Sequence, residues 1–302
     1  MPIKYLLRNM LIVFFLHMIS ITGMAFASTG TASDQINFQE IIKYANLSRA
    51  AYQSVPSLEK FSSLKNYSIS HYGNLPGYKI SYFIATNDIE KIQVISVRGT
   101  NNPENALVDV AFQLITDKHT GLRLHNGFSQ TASAIYEKIR PLLKQDYLIS
   151  TTGHSLGGAV AIILAIHMDV DKFTIGEVIT FGQPKVTNIA GANKLQHLKI
   201  TRVVMQKDLV PLMPPFDPVD MNNIDIYWHA GKEIILLDGN TYAIAEGMKS
   251  MMRAVKFTQE PLGVNNIQNH KISIYVKSLA NKIPTAIPVP LKSDLNLFNL
   301  FK

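Results

Sequence analysis

The spacing of apolar residues changes along this chain from a helical period to that of strands. From residue 38 to 52 they recur with the helical period, and Asn37 followed by Glu40 has the pattern of a helix start. Three short β-like runs come next, at residues 65–69, 79–85 and 92–97. Alternating side chains in the second run predict that the sheet begins with antiparallel strands.

The most informative pattern lies between Tyr147 and Met168. Residues 148–152 are rich in β-branched side chains, as in a strand buried within a parallel sheet. Residues 158–165 are apolar on most sides and predict a buried helix. Between the two lies the turn Gly153-His154-Ser155-Leu156-Gly157-Gly158.

Further helices and strands are predicted on both sides of this stretch. Before it, a helix opens near residue 126 and is expected to turn Ile135, Ile139, Leu142 and Leu143 towards the sheet. After it, strands are predicted within residues 178–186 and 202–208. The remaining predictions are a hairpin joining 224–229 to 233–237, a helix over 241–256, and a last helix carrying Ile272, Tyr275, Val276 and Leu279.

Composition restricts the chemistry that this chain can perform. Its 302 residues, 47% hydrophobic and 17% charged, suit one large α/β domain with a sizeable core. The absence of cysteine excludes disulfides, thiolate chemistry and cysteine-ligated zinc or iron–sulfur sites. The net charge of +7 comes without the basic runs or interleaved aromatic residues of a nucleic-acid groove, so no nucleic-acid partner is expected. A generally basic surface and an affinity for anionic membranes are both compatible with it.

The first 27 residues have the three parts of a secretory signal. Lys4 and Arg8 precede an apolar run of about sixteen residues, and Ala25-Phe26-Ala27 offers small residues where a signal peptidase cuts. We expect cleavage after Ala27 and export, either to the periplasm or out of the cell; the alternative is an uncleaved membrane anchor. The expected mature chain has a domain over residues 28–280 and a proline-containing apolar tail over 281–302.

The turn around Ser155 has the features of a nucleophile elbow. A serine that stands out from a sharp strand-to-helix turn needs minimal side chains two residues before and two residues after it, and Gly153 and Gly157 meet that need. The helix begins at the serine, so its dipole favours negative charge there. The N–H of Leu156 is placed to bind a developing oxyanion.

The sequence from Gly153 to Ala159 resembles the class 3 lipase family of α/β-hydrolases. The stretches His125-Asn126-Gly127-Phe128, 178–186 and 202–211 also resemble that family, and the similarity extends from about Phe38 to Tyr275. The resemblance implies an α/β-hydrolase fold, with a mixed, mostly parallel central sheet flanked by helices. It assigns His125 a structural role, and we expect no titrating role for any residue of 178–186.

The resemblance also implies groups that assist the serine. The stretch Arg98-Gly99-Thr100 holds the family's second oxyanion donor, which falls on Thr100; the alternative is an ordinary turn with Gly99 at positive φ. Residues 101–123 correspond to a lid over the site, in which Asp109 would support the oxyanion residue. The alternative for this segment is a core-packed helix.

In the order usual for α/β-hydrolases, the acid and the base of the triad follow the serine in the sequence. Asp208 follows a β-branched run and precedes Pro211, which places it at the carboxyl end of a strand, where α/β sheets gather catalytic groups. Its competitors by composition are Asp217, Asp220 and Asp225. His270, on a loop that enters the last helix, matches the family's catalytic histidine, and His229 is its rival.

These residues together predict a serine esterase or lipase that hydrolyses acyl esters of lipids, either of the triacylglycerol type or phospholipids, through an acyl-enzyme. Ser155, Asp208 and His270 would form the catalytic triad, with no metal or organic cofactor. The expected partner is a lipid or ester substrate, with transient contact to a membrane or lipid interface. The alternatives are an acyltransferase with the same triad and an inactive relative that binds lipid.

Overall fold

The computed structural model describes residues 36–58, 66–100, 113–214, 225–247, 250 and 268–291. From Phe38 to Lys292 the chain forms one compact unit. Several predictions fall on residues outside these ranges: the leader, the lid segment 101–112 with Asp109, the competitors Asp217 and Asp220, and most of the helix predicted over 241–256.

The strands and helices are numbered here in chain order. The described strands are β1 (Ser68–Leu75), β2 (Ile80–Asn87), β3 (Ile92–Val97), β4 (Leu114–Thr116), β5 (Arg123–His125), β6 (Leu148–His154), β7 (Thr174–Phe181), β8 (Thr187–Asn188), β9 (Lys199–Met205), β10 (Tyr227–Trp228), β11 (Lys232–Leu236), β12 (Thr241–Ala245) and β13 (Ile287–Pro288). The described helices are α1 (Phe38–Ala50), α2 (Val55–Leu58), α3 (Asn126–Ile139), α4 (Leu156–Val170), α5 (Ile189–Lys194) and α6 (Ile272–Ala280).

A mixed, mostly parallel sheet forms the centre of the molecule, as predicted. Among the described strands its order is β1-β2-β3-β6-β7-β9-β11-β12-β13. The pairs β1–β2 and β2–β3 are antiparallel, which confirms the predicted start of the sheet, and β3, β6, β7, β9 and β11 run parallel. A second, antiparallel sheet has the order β10-β8-β5-β4.

Helices cover both faces of the central sheet. Because successive side chains of a strand point to opposite faces, neighbouring residues of β6 contact helices on different sides. In β6, the Thr151 hydroxyl donates to the carbonyl oxygen of Ala161 in α4 at 2.9 Å. The Thr152 hydroxyl lies 2.8 Å from that of Ser48 in α1. Residues 157–168 of α4 are all buried, so the helix predicted to be buried lies inside the core.

Two predictions for the second half of the chain are wrong. Residues 227–228 and 232–236 do not form a hairpin with each other: β10 pairs with β8 in the second sheet, whereas β11 pairs parallel with β9. The start of the predicted helix, Thr241–Ala245, is instead strand β12, antiparallel to β11. Contacts with neighbouring strands favour the strand over the helix here, because Ala243 and Ala245 pack with Val204 and Ile235 in a separate apolar cluster.

The helix before the elbow ends earlier than predicted. Its last residue is Ile139, after which Pro141 lies in a short 3₁₀ turn. Ile135, Ile139 and Leu143 are buried, but Leu142 is 41% exposed, so its predicted orientation is wrong. Proline cannot continue the α-helical hydrogen bonding, and the turn therefore rotates Leu142 away from the sheet.

Part of the chain after α6 packs on the body of the domain. Strand β13 adds to the edge of the central sheet beside β12, and the partly buried Leu291 packs against the apolar cluster of Val204 and Ile235. Within the ranges described here, every helix is too short or too polar to cross a membrane.

Candidate active site

Ser155 occupies the sharp turn between β6 and α4. Its φ of 60° and ψ of −133° lie outside the regions that ordinary side chains favour. The Ser155 N–H donates to the Phe181 carbonyl oxygen, at the end of the adjacent strand β7, at 2.9 Å. This is the strained strand-to-helix geometry predicted for a nucleophile elbow.

Both glycines that flank the serine are required by close backbone contacts. A Cβ at Gly153 would lie 2.3 Å from the Gly157 carbonyl oxygen, and a Cβ at Gly157 would lie 2.3 Å from the Val97 carbonyl oxygen. Real side chains do not approach backbone so closely. The glycines therefore allow the elbow, β3 and α4 to meet beside Ser155.

Replacing Gly157 with alanine is expected to destabilise the folded protein by roughly 3 kcal/mol or more, because the added methyl group meets backbone that cannot move aside. Thermal unfolding followed by circular dichroism measures the loss. Gly77→Ala is the matched control, since a Cβ there meets nothing within 4 Å. Equal stability of the Gly157→Ala variant and the wild type would contradict the close packing described for the elbow.

Asp208 and His270 form a buried hydrogen-bonded pair. Asp208 lies three residues beyond the end of β9, and its Oδ2 is 2.7 Å from His270 Nδ1. The carboxylate also accepts hydrogen bonds from the Val210 N–H, at 2.9 Å, and from the Tyr275 hydroxyl. A carboxylate only accepts, so His270 carries a proton on Nδ1, and the neutral tautomer of this ring has its lone pair on Nε2. Among the described residues, that buried Nε2 has no hydrogen-bond partner.

The structure brings Ser155, Asp208 and His270 to the same edge of the central sheet. Gly182 follows Phe181, whose carbonyl oxygen accepts from the Ser155 N–H. Gly182 also lies close to the side chains of Asp208 and His270, because a Cβ added to it would be 3.0 Å from Asp208 Oδ2 and 2.9 Å from His270 Cε1. The ring of His154, next to Ser155, lies 4.5 Å from the His270 ring between centroids. The three residues of the predicted triad are thus neighbours through these shared contacts.

His154 joins the elbow to the loop that carries His270. Its Nε2 donates to the His270 carbonyl oxygen, which fixes its tautomer. Its Nδ1 therefore accepts from the Tyr52 hydroxyl at 2.8 Å. Burial, and the proximity of His270, lower the pKa of His154 well below its usual value, so the ring stays neutral. Nothing in the local pattern around Tyr52 indicates a contact 102 positions away, so the sequence alone predicts no role for it.

Thr100 ends the stretch that follows β3. Its neighbour Gly99 is close enough to the elbow that a Cβ there would lie 3.1 Å from Ser155 Cβ. Gly99 is not at positive φ, so the alternative explanation of this glycine is wrong. The Thr100 Oγ1 is buried and has no hydrogen-bond partner within the described part of the chain. The segment on which the second oxyanion donor is predicted thus comes close to Ser155 at Gly99.

The two rivals of the predicted acid and base that lie in the described ranges, Asp225 and His229, have other partners. His229 Nε2 donates to the Pro211 carbonyl oxygen at 2.6 Å. Asp225 binds the Arg123 guanidinium and accepts from the Asn188 amide at 2.9 Å. Through these contacts, His229 and Asp225 bond residues other than Asp208 and His270.

His125 caps a helix, in agreement with its predicted structural role. It is the N-cap of α3, its Nδ1 accepts from the Phe128 N–H at 3.4 Å, and its ring stacks on that of Phe128. Burial lowers the pKa of His125 to about 4. The folded state thus binds the proton of this residue more weakly than the unfolded state does.

The His125 contribution to stability is expected to fall as the pH falls from about 6.5 to 4, because the unfolded chain takes up a proton that the folded chain refuses. His125→Asn keeps a capping side chain and lacks this titration. Between pH 7 and 4.5 the free energy of unfolding should therefore drop by about 2 kcal/mol more in the wild type than in the variant. Urea unfolding at the two pH values measures both drops, and equal drops would contradict a buried, neutral His125.

Similar proteins and structures were found for most of the chain. The family model for class 3 lipases matches residues 94–217. Secreted mono- and diacylglycerol lipase 1 of Fusarium solani is 30% identical over 212 residues, which are 63% of this chain and 62% of that protein. A lipase of Rhizomucor miehei is 29% identical over 178 residues, which are 54% of this chain and 47% of that protein.

Among solved structures, the Lip2 lipase of Yarrowia lipolytica superposes with a TM-score of 0.60 at 23% identity, covering 78% of this chain and 93% of that chain. At this identity the likeness shows the fold, and it confirms the predicted α/β-hydrolase architecture. The chain spans between 47% and 62% of the length of the two curated relatives.

Proposed function

The chain belongs to the class 3 lipase family, and we propose that it is a serine hydrolase that cleaves acyl esters of lipids through an acyl-enzyme. The observation that carries this proposal is the buried Asp208–His270 pair beside the strained turn of Ser155. That arrangement supplies a nucleophile, an imidazole base and an acid that orients it.

In the first half of the proposed reaction, Ser155 Oγ attacks the ester carbonyl carbon and forms a tetrahedral intermediate. His270 Nε2 takes the serine proton, because Nδ1 is already protonated against Asp208. The carboxylate of Asp208 then balances the charge of the imidazolium. When the intermediate collapses, His270 returns the proton to the departing alcohol and the acyl group remains on Ser155.

Two backbone N–H groups are proposed to stabilise the oxyanion of this intermediate. The Leu156 N–H lies in the first turn of α4, where helical N–H groups have no acceptor in their own helix. The Thr100 N–H would be the second donor, joined by its hydroxyl, which has no partner within the described part of the chain. A single donor of this kind contributes on the order of 3 kcal/mol to transition-state stabilisation. Asp109 would support Thr100 from the proposed lid.

In the second half, a water molecule takes the position that the alcohol has left. His270 Nε2 removes a proton from this water, and the resulting nucleophile attacks the acyl carbon. A second tetrahedral intermediate then collapses to free acid, and His270 returns its proton to Ser155 Oγ. If an alcohol takes the place of the water, the same steps give a new ester, which is the acyltransferase alternative.

Acylglycerols are the proposed substrate class. The Fusarium solani relative is named a mono- and diacylglycerol lipase, and this supports acylglycerols ahead of phospholipids for the present chain. That relative is also named as secreted, which supports the proposed export after removal of residues 1–27. Transient contact with a lipid interface follows from a substrate that is insoluble in water.

Hydrolysis by the purified exported protein tests the proposed function. A p-nitrophenyl ester of a medium-chain acid reports turnover, and emulsified diacylglycerol and phospholipid compare the two lipid classes. We expect release of free acid, faster from diacylglycerol. A predominance of new ester in the presence of added alcohol would favour an acyltransferase. Lipid binding without any turnover, even with detergent, would favour the inactive relative.

A further inference from the structure

The loop that carries Asp208 is held by several hydrogen bonds of its own. We call residues 206–214 the acid loop. The Val210 N–H donates to Asp208 Oδ1, and the Leu212 and Met213 N–H groups donate to the Leu209 and Val210 carbonyl oxygens in a 3₁₀ turn. These local bonds leave the carbonyl groups at the end of the loop in need of donors from elsewhere.

Lys185 supplies those donors from the loop that follows β7. Its side chain is 2% exposed, and its Nζ donates to the carbonyl oxygens of both Leu212 and Pro214. Its backbone N–H donates to the carbonyl oxygen of Met213, between them, at 2.8 Å. One residue thus bonds three successive carbonyl groups of the acid loop.

Burial of Lys185 is costly, which indicates that its bonds serve a purpose. Removal from water lowers the pKa of Lys185 to about 7, and the nearby Arg202 contributes to this lowering while Glu233 opposes it. A neutral amine retains two N–H groups and an ammonium has three, so either form can bond both carbonyl groups. A methionine would fill the same space without the desolvation cost, but it would leave both carbonyl groups unpaired.

Lys185 also lies close in the chain to the site. Gly182, three residues before it, contacts both Asp208 and His270. The segment 182–185 therefore touches the acid directly at one end and holds the acid loop from behind at the other. We infer that Lys185 is a positioning residue, which fixes Asp208 against His270 by anchoring the acid loop. This inference rests on the proposed function and deepens it.

The test compares Lys185→Met with Lys282→Met. Lys282 is buried too, and its Nζ donates to the carbonyl oxygens of Leu237 and Gly239, between β11 and β12. Both variants remove a buried amine that donates to backbone carbonyl groups, and Lys282 Nζ also donates to Ser278, but only Lys185 bonds the acid loop. We expect Lys185→Met to lower kcat per folded molecule by about 10²-fold with little change in KM, as a small misplacement of a catalytic group does. Lys282→Met should keep the wild-type kcat.

A double variant separates positioning from a general structural effect. If Lys185 acts through Asp208, then Lys185→Met should lower kcat no further in an Asp208→Asn background. An undiminished loss in that background, or equal losses in Lys185→Met and Lys282→Met, would overturn the inference. Should Lys185→Met fail to fold, Lys185→Gln replaces it; its shorter amide reaches one carbonyl group, and a smaller loss of kcat is expected.

A measurement that does not depend on ester hydrolysis tests the role of Lys185 separately from the proposed function. The proton between His270 Nδ1 and Asp208 Oδ2 is expected to give a downfield signal in the ¹H NMR spectrum of the whole protein. We expect this signal to shift or broaden in Lys185→Met and to stay in place in Lys282→Met. An unchanged signal in Lys185→Met would overturn the inference, whether or not the wild type hydrolyses esters.

Discussion

Replacing Ser155 with alanine is expected to lower kcat for ester hydrolysis by about 10⁶-fold, the loss typical of removing the nucleophile from an intact triad. The fold should survive, because the change removes one oxygen atom and leaves the Ser155 N–H bond to the Phe181 carbonyl oxygen in place. Release of p-nitrophenol, measured per folded molecule, gives the ratio of rates.

The control for this variant is a buried serine on the strand that leads to the elbow. Ser150 in β6 is 1% exposed, and its Oγ accepts from the Glu177 N–H at 3.1 Å. Ser150→Ala removes an equivalent oxygen atom and should keep the wild-type kcat. A Ser155→Ala variant with more than a few per cent of the wild-type rate would contradict the assigned nucleophile.

Replacing Asp208 with asparagine is expected to lower kcat by about 10⁴-fold, because the amide selects the wrong tautomer of the base. The amide oxygen of the new side chain can take the place of Oδ1 and accept from the Val210 N–H, which puts the amide nitrogen in the place of Oδ2, facing His270 Nδ1. An N–H group facing Nδ1 makes that atom an acceptor and moves the imidazole proton to Nε2. The base then cannot take the proton of Ser155.

Asp225→Asn is the matched control, since Asp225 is a competitor for the acid by composition but pairs with Arg123. It should cost some stability and little activity. The same assay, with the folded fraction taken from circular dichroism, compares both variants. Similar rates for Asp208→Asn and the wild type would show that Asp208 does not orient His270.

Local patterns are sufficient to predict the elbow and the order of the site residues. A strand, a glycine-flanked serine and an apolar helix are adjacent in the sequence, and the required contacts follow from backbone geometry alone. Asp208 is predictable in the same way, because a β-branched run followed by an acid and a proline marks a strand end. Asp208 and His270 lie 62 positions apart in the chain, and only the family resemblance predicts that they pair.

The errors arise where pairing partners outside the local window decide the structure. Thr241–Ala245 has no strong helical or strand period, and its place beside β11 depends on Val204 and Ile235. The run around Gly231 has the pattern of a hairpin turn, but it is a crossing between two sheets, with Gly231 at a φ of 77° against the Ile200 backbone. Local propensity is weak in such segments, and tertiary contacts override it.

The supporting residues of the site escape local prediction for the same reason. Tyr52 reaches His154 across 102 positions, and Lys185 reaches Pro214 across 29. Burial lowers the pKa of Lys185 to about 7, but the role proposed for this residue rests on its hydrogen bonds and assigns it no titration, as expected for residues 178–186. A lysine next to a proline at a strand exit is expected on the surface, since burial of its amine is decided by the loop that covers it.

Mapping the site of covalent modification by an alkyl fluorophosphonate tests most directly that Ser155 is the nucleophile of a working triad. The reagent mimics the tetrahedral intermediate and reacts with an activated serine. We expect one adduct per molecule, on the peptide containing Ser155, with loss of hydrolysis in the same proportion. An adduct on another residue that abolishes hydrolysis, or full hydrolysis by protein already modified at Ser155, would contradict this assignment.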